Sequence, residues 1–572
     1  MAFALSLFAG RLVQLQGLQA GTYRALADQQ RVQTVQLPAV RGSITTADGV
    51  TLATTLETDT VFADPKLMTT AQEPAIAAAL AGPLGLPAAT VLGLIQHPTS
   101  PQYVVLKRAV PAQTGNRISA LSLPGSQLGH LPGIGLTPSY TTSYPNGELA
   151  APLIGFTNTN SAGNLVGVAG VEASYNSLLA GHAGTEAVQT TALGQPIPLA
   201  QQTLQPTVPG RGIRLTIIAP IEYAAEQACK QRVLLTHSAY CTAVVMQPHT
   251  GQILAMAQYP TFDPAHPASL AATTNDTVAN VWQPGSTGKA ITVAAALERG
   301  GQTAMSPYWV PNQIVVHGYP FHDAETHPTE HLTIAGILAN SSNVGMVQVV
   351  RHVPPKVQYR YLRAFGLGES TGLNLPGASD GLLPAPSQWW GDTRYTLAFG
   401  QGVAVNAVQM ASVYSTIANR GVRVPPSIVA GTTSPGGQFV PSATPRGHRV
   451  IKASTARTLI RVLQQVPMVN ATAGEPWGEI AGYPIAAKTG TAQEVDPVRH
   501  CLCSYGSSYI GMAPANNPQV VVAINLQDPK GSQYFGIEVA GPVFYQVMRA
   551  TLQTLKIPPN YVNRPDVRLT VP

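Results

Sequence analysis

Charge is what this sequence has least of. Lys+Arg 33 and Asp+Glu 27 make only 10% of 572 residues charged, well under the ~25% usual for soluble domains. The balance of +6 is too small and too scattered to argue for a nucleic-acid partner. Four cysteines fall far from any zinc-ribbon spacing, and a chain this long can bury a core without relying on disulfides. Long apolar runs are missing too. The best candidate, Met1 to Gly10 (MAFALSLFAG), would rise about 15 Å as a helix, half of a ~30 Å hydrocarbon core. It lacks the basic flank and small-residue cleavage site of a signal peptide. It reads either as the outer half of a membrane anchor whose start was clipped or mis-assigned, or as an amphipathic helix packed on the body. Everything after about Gln16 is expected to be soluble. No internal repeat or long low-complexity tract is visible.

What is plentiful is apolar residues, 45%, together with Gly 53 and Pro 49, which exclude general disorder and imply many loops. At about 150 residues per domain the length suits three or four units, or one large domain with accessories. Residues 11–35 carry helical spacing (Leu12, Leu15, Leu18, then Tyr23 and Leu26) that Pro38 ends. From Arg41 to about Gln205 short apolar stretches alternate with breakers, as in a mixed domain, and Gly194 to Gly212, rich in Pro and Gln, reads as a linker. Beyond it, strands are expected at Arg214–Ile217, Thr242–Met246, Gly251–Tyr259, 481–492 and 506–526, with helices at about 220–230 and 541–555 and a helical middle. A sheet flanked by a helical insertion is an α+β or α/β arrangement.

Three clusters carry chemistry. Gln283-Pro284-Gly285-Ser286-Thr287-Gly288-Lys289 precedes an Ala-rich helix stopped by Gly300-Gly301. This puts Ser286 at a helix start, where free N–H groups favour negative charge, and Lys289 one turn on, on the same face. A buried lysine gives up its proton readily, so it can take the hydroxyl proton and make Ser286 a nucleophile. Asn340-Ser341-Ser342-Asn343 offers a hydroxyl and a carboxamide to one side of a cleft. Lys488-Thr489-Gly490-Thr491 follows an apolar stretch and reads as an edge strand able to lie along a substrate backbone. Ser341 comes 55 residues, and Lys488 202 residues, after Ser286. This trio in this order is the signature of penicillin-binding proteins and class A β-lactamases.

The sequence resembles a class B penicillin-binding protein along its whole length, the division-specific (septal) type in particular. Arg41-Gly42-Ser43-Ile44 with Asp48-Gly49, Tyr144-Pro145-Asn146-Gly147 with Leu149-Ala150, and Gly167, Gly170 and Glu172 resemble the family's N-terminal motifs. Ala243 to Pro264, Gly400-Gln401-Gly402, Ala418 to Gly421 and Ser508 to Ala515 resemble stretches of its catalytic part. Thr46-Ala47 and Thr142 depart from residues that would supply ionic partners between those motifs. The resemblance implies the α+β penicillin-binding/serine-transpeptidase fold: an antiparallel sheet flanked by helices, with a helical subdomain, on an elongated mixed pedestal. It implies an anchor remnant at 1–20, a dimerisation/pedestal domain at 21–205, a transpeptidase domain at 206–556 and a tail at 557–572. Ser286 would be acylated by a D-Ala-D-Ala stem peptide, with Lys289 as base and Ser341 as proton relay. Asn343 and the Lys488-Thr489-Gly490-Thr491 strand would bind the donor, and the Ser286 and Thr491 N–H groups would form the oxyanion hole. No cofactor and no metal are implied. The expected partners are peptidoglycan stem peptides, β-lactams, a membrane-embedded glycosyltransferase and division proteins, at the outer face of a bacterial cell membrane.

Two other readings compete. A β-lactam hydrolase or sensor needs a carboxylate to drive deacylation; Glu369 with Leu373-Asn374 resembles the lactamase loop, but its spacing is one residue too long. A scaffold of the division machinery would not need the intact trio. His317, His322, His327 and His331, with Asp323 and Glu325, invite a metal reading, yet no pair has the HExxH arrangement, and solvated or hydrogen-bonded histidines are expected.

Overall fold

The computed structural model describes residues 2–22, 32–98, 100–124, 129–160, 163–189, 203–496, 499–560 and 564–572. The apolar N-terminus forms α1 (Ala2–Val13) and a π-helical turn, Gln14–Leu18. Among the described residues no helix is long and apolar enough to cross a membrane. The helical reading of 11–35 is corrected at its far end. Residues Val32–Leu37 are a strand, β1, and Tyr23 and Leu26 lie outside the described residues. The segment VQTVQL carries three β-branched residues, which suit a pleated strand. Its partner is distant in sequence: β1 pairs antiparallel with residues 184–189.

The N-terminal half is organised on a long hairpin-like sheet. Its strands are β2 (Ile44–Thr45), β3 (Thr51–Ala63), β4 (Val104–Pro111) and β5 (Ile134–Ser143), with β3 pairing β2, β4 and β5. β6 (Gly184–Gln189) joins β1 to β7 (Thr203–Gln205). Of the expected linker, residues 194–202 lie outside the described residues, and its end runs into β8 (Gly212–Leu215). This strand lies parallel to β2 on one side and antiparallel to Val429–Thr433 on the other. The sheet is thus stitched from distant parts of the chain. The first and third of the N-terminal motifs are held together by a buried ion pair, Arg41 with Glu172, both side chains 1% exposed. Arg41 also donates to Asn176 Oδ1 at 2.8 Å and to the Glu172 carbonyl at 2.9 Å. At the positions that depart from the family pattern the contacts are between neutral groups: the hydroxyls of Thr142 and Thr157 lie 2.7 Å apart, and Thr46 Oγ1 accepts from Val50 N–H at 2.9 Å.

The C-terminal half is a five-stranded antiparallel sheet between two helical layers. In chain order it uses α2 (Ala219–Thr236), β9 (Tyr240–Met246), β10 (Ile253–Tyr259), α3 (Lys289–Arg299), α4 (Ile334–Ala339), α5 (Asn343–Val350), α6 (Ala407–Ala418), and β11 (Val429–Thr433), which belongs to the first sheet. Then follow β12 (Ala486–Asp496), β13 (Cys501–Ala513), β14 (Val520–Gln527) and α7 (Gly541–Thr554). The order across the sheet is β10-β9-β14-β13-β12, which leaves β12 at the edge. The expected 506–526 stretch is two strands, because the chain reverses between them. In β9, Val244 and Met246 pack with Met410, Val413 and Ile417 of α6, while Ala243 and Val245 pack with Ile221 and Ala225 of α2 and Phe544 of α7. With both faces covered, the strand reads as an apolar run, not an alternating one. Cys229–Cys241 ties α2 to β9, and Cys501–Cys503 closes the start of β13. The tail returns to this half: Thr333 donates to the Arg568 carbonyl, and Val567 and Leu569 pack on its core.

Candidate active site

Ser286 sits in a 3-10 turn, Gly285–Gly288, that feeds directly into α3. The turn is pinned from three sides. Gly285 N–H donates to the Gly400 carbonyl at 2.9 Å, Tyr414 Oη to the Thr287 carbonyl at 3.0 Å, and Gln283 N–H to Glu494 of β12 at 3.0 Å. The Gln283 side chain in turn accepts from Gly402 N–H at 2.9 Å. The Gly400-Gln401-Gly402 loop, Gln283 and the edge strand therefore lock one another. Gly285 has φ +50°, and a Cβ there would lie 3.2 Å from the Thr491 carbonyl oxygen. Only glycine lets the turn come this close to the strand without strain.

All three clusters meet in one cleft. Ser341 Oγ donates to Ser286 Oγ at 2.8 Å, and Lys488 Nζ donates to Ser341 Oγ at 2.9 Å. Lys289 Nζ donates to the Ser341 carbonyl and lies 3.4 Å from Ser341 Oγ. Both lysines are fully buried. Burial, the charge of Lys488 and, in the opposite sense, the charge of Asp323 act on Lys289, and the outcome is a pKa well below a lysine's ordinary value. Burial alone pushes Lys488 down to about 7. Ser341 is thus the hub: its hydroxyl touches the candidate nucleophile and both amines, and its backbone is held at φ +61°, a region non-glycine residues enter at a cost of about 1–2 kcal/mol.

The remaining expected residues have definite places. Asn343 opens α5 and donates from its side chain to the His322 carbonyl at 3.2 Å. Lys488 lies 3.5 Å from Thr489 Oγ1, and Thr491 Oγ1 accepts from Gly536 N–H at 2.9 Å. The bare Cα of Gly490 faces the nucleophile's turn: a Cβ there would sit 2.3 Å from Ser508 Oγ and 2.8 Å from the Pro284 carbonyl oxygen. Glu369, the residue a hydrolase would need, is engaged by Arg363 and Arg423. Sequence reasoning missed Glu494, Tyr414 and above all Asp323, which stood only among the residues of the metal reading. The histidines around it have other partners: His331 stacks on Trp309 at 4.0 Å, and His327 bonds to Asp323.

A half-buried serine at a helix start, linked through the Ser341 hydroxyl to two lysines whose pKa burial lowers, can be acylated and can exchange protons through that link. The frame around that chemistry is known from other proteins. Residues 241–549 match the penicillin binding protein transpeptidase domain, and residues 36–215 match the penicillin-binding protein dimerisation domain. The penicillin-binding protein PbpB of Mycolicibacterium smegmatis is 33% identical over 97% of this chain and 89% of its own length. The peptidoglycan D,D-transpeptidase FtsI of Escherichia coli is 30% identical over 98% of this chain and 92% of its own. The crystal structure of a peptidoglycan synthetase from Bifidobacterium adolescentis superposes with a TM-score of 0.76 at 31% identity, over 95% of this chain and all of that one. The chain belongs to the class B penicillin-binding proteins.

Proposed function

We propose that this protein is the septal peptidoglycan D,D-transpeptidase of its cell, with Ser286 as the acylated nucleophile. Lys289 draws the proton from Ser286 as its oxygen attacks the carbonyl carbon of the penultimate D-Ala in a stem peptide. The N–H groups of Ser286 and Thr491 receive the oxyanion, each such donor being worth about 3–4 kcal/mol of barrier. The C–N bond then breaks, Ser341 passes a proton to the leaving D-Ala amine, and an ester remains on Ser286. An amine of a neighbouring stem peptide attacks that ester, forms the cross-linking amide and restores the hydroxyl. Asn343 holds the donor backbone, and Lys488, Thr489 and Thr491 hold its terminal carboxylate beside Gly490. β-Lactams enter the same path and stay on Ser286. The observation that carries this reading is the 2.8 Å contact of Ser341 with Ser286 beneath two buried lysines.

The division of labour follows the family: residues 21–205 as pedestal and 206–556 as transpeptidase domain, with a tail at 557–572. Residues 1–20 act as the end of a single-pass anchor that places the catalytic half outside the membrane. A membrane-embedded glycosyltransferase and other division proteins are its partners. Intact mass after incubation with penicillin tests the core of this. The parent is expected to gain one stable adduct and Ser286→Ala none. An adduct that persists on the alanine variant moves the nucleophile elsewhere, rapid loss of the adduct as hydrolysed drug makes the protein a lactamase, and a parent that never labels makes it a scaffold.

A further inference from the structure

Asp323 lies outside every motif of the family signature, yet its carboxylate is 9% exposed and fully used. Its Oδ1 accepts from Asn343 N–H at 2.5 Å and from Val344 N–H at 3.0 Å; its Oδ2 accepts from Ser342 Oγ at 2.7 Å and from His327 Nε2 at 3.0 Å. Those four bonds fill the four lone-pair positions of a carboxylate. Three of them fix the turn between α4 and α5, the turn that forces Ser341 into its left-handed backbone. The fourth fixes Asp323 itself. His327 Nδ1 lies 2.7 Å from the Pro328 carbonyl oxygen, so both ring nitrogens face acceptors, an arrangement that favours the protonated ring. Burial works against that cation, but the bonds to Pro328 and Asp323 and the charges of Asp323 and Glu330 outweigh it, and the imidazole pKa is raised. The other charged groups around the pair are Glu330, 3.9 Å from His327, and Lys289, on which Asp323 acts through space. Nδ1 of His322 lies 2.9 Å from the Asp323 carbonyl oxygen.

We propose that Asp323, clamped by His327, is a positioning residue for acyl transfer: it sets the Ser341–Asn343 turn, and its negative charge limits how far burial and Lys488 loosen the proton on Lys289. This rests on the transpeptidase reading above. The test is the rate of acylation by a fluorescent penicillin, followed against pH on the full chain. Asp323→Asn keeps the shape but loses the charge. Its acylation rate is expected to fall on the order of ten- to a hundredfold, as for a site misplaced by about 1 Å. Its acid limb is expected to move to lower pH, because Lys289 loses a neighbour that favoured its proton. Asp323→Glu keeps the charge, so its limb stays with the parent's while part of the rate returns. His327→Gln removes the opposing charge and moves the limb the other way, to higher pH. A uniform loss with the limb unmoved, or no loss in Asp323→Asn, overturns the proposal. Should Asp323→Asn fail to fold, an unmoved limb in His327→Gln overturns it as well. A parent that takes no label overturns this proposal together with the transpeptidase reading, whereas a labelled parent with unresponsive variants overturns this proposal alone.

Discussion

Two lysine amines with no exposed surface converge on the hydroxyl of Ser341, and that burial weakens the hold of both on their protons. In water each would hold its proton to about pH 10. Here burial strips the charge of its hydration, and mutual repulsion penalises having both protonated. The same arrangement weighs against folding. Lys488 falls from 10.5 to about 7 on folding. Between those values the folded chain holds fewer protons than the unfolded chain, so the destabilisation it brings is full below about 7 and declines as pH climbs to about 10.5. Lys488→Met should therefore stabilise the protein by about 1–2 kcal/mol near pH 7, with the gain vanishing toward pH 10, while acylation by penicillin is all but lost. Thermal melts at the two ends of that range check the sign: a variant less stable than the parent at pH 7 would mean that the lysine is held by its contacts more than it is penalised by its burial. At this scale the meeting of the three clusters was legible in the sequence, because Ser286 and Lys289 share a helical turn and the clusters keep the order of a known signature. Asp323 was not, because it acts on α5 and Lys289 from a loop, and nothing in its local sequence sets it apart from Glu325.

Strand β12 is an edge held against a turn, and its glycine marks the contact. Lys488 and Gly490, two residues apart, face the same side, where one reaches Ser341 and the other leaves room for Pro284 and Thr287. The pattern Lys-Thr-Gly suggested a surface left bare for substrate; the bare Cα is also demanded by the protein's own backbone. Gly490→Ala adds one methyl group where Ser508 Oγ and the Pro284 carbonyl already stand, so strand and turn must part by several tenths of an ångström. The prediction is an acylation rate lower on the order of a hundredfold with a melting temperature lowered by only about 2–4 °C. An acylation rate within twofold of the parent would show that the turn yields without disturbing Ser286. Elements with local patterns were read closely: the β9–β10 hairpin, α3 and α7 fall where their apolar period and turn residues put them. Strand β1 was misread because its pairing partner, β6, lies about 150 residues along the chain, and the leucines before it keep a helical period.

The two halves of the molecule meet over a pair of acids. Glu222 and Glu226 lie one turn apart on α2, the first accepting from Met256 N–H at 2.7 Å in β10, the second from Ala150 N–H at 2.8 Å in the pedestal. Ala150 stands at φ +54°, so this backbone is itself held away from its preferred region. Burial, and then the charge of Glu222, raise Glu226 far above the ordinary carboxylate range, and burial raises Glu222 as well. Such a pair is stable while it keeps protons. For an acid with a raised folded pKa, the folded chain holds more protons than the unfolded chain above about pH 4.5, so its contribution to stability falls as pH rises from there. Glu226→Gln preserves the oxygen that accepts from Ala150 and removes the charge. Its melting temperature should match the parent's near pH 4.5 and exceed it by about 2–4 °C near pH 9, the shift about 1 kcal/mol brings in a large domain. Because the acid pair bridges pedestal and catalytic half, the same variant should also resist proteolytic separation of the two halves at pH 9. An equal change in melting temperature at both pH values would mean that the hydrogen bond to Ala150, and not the proton, is what joins the halves.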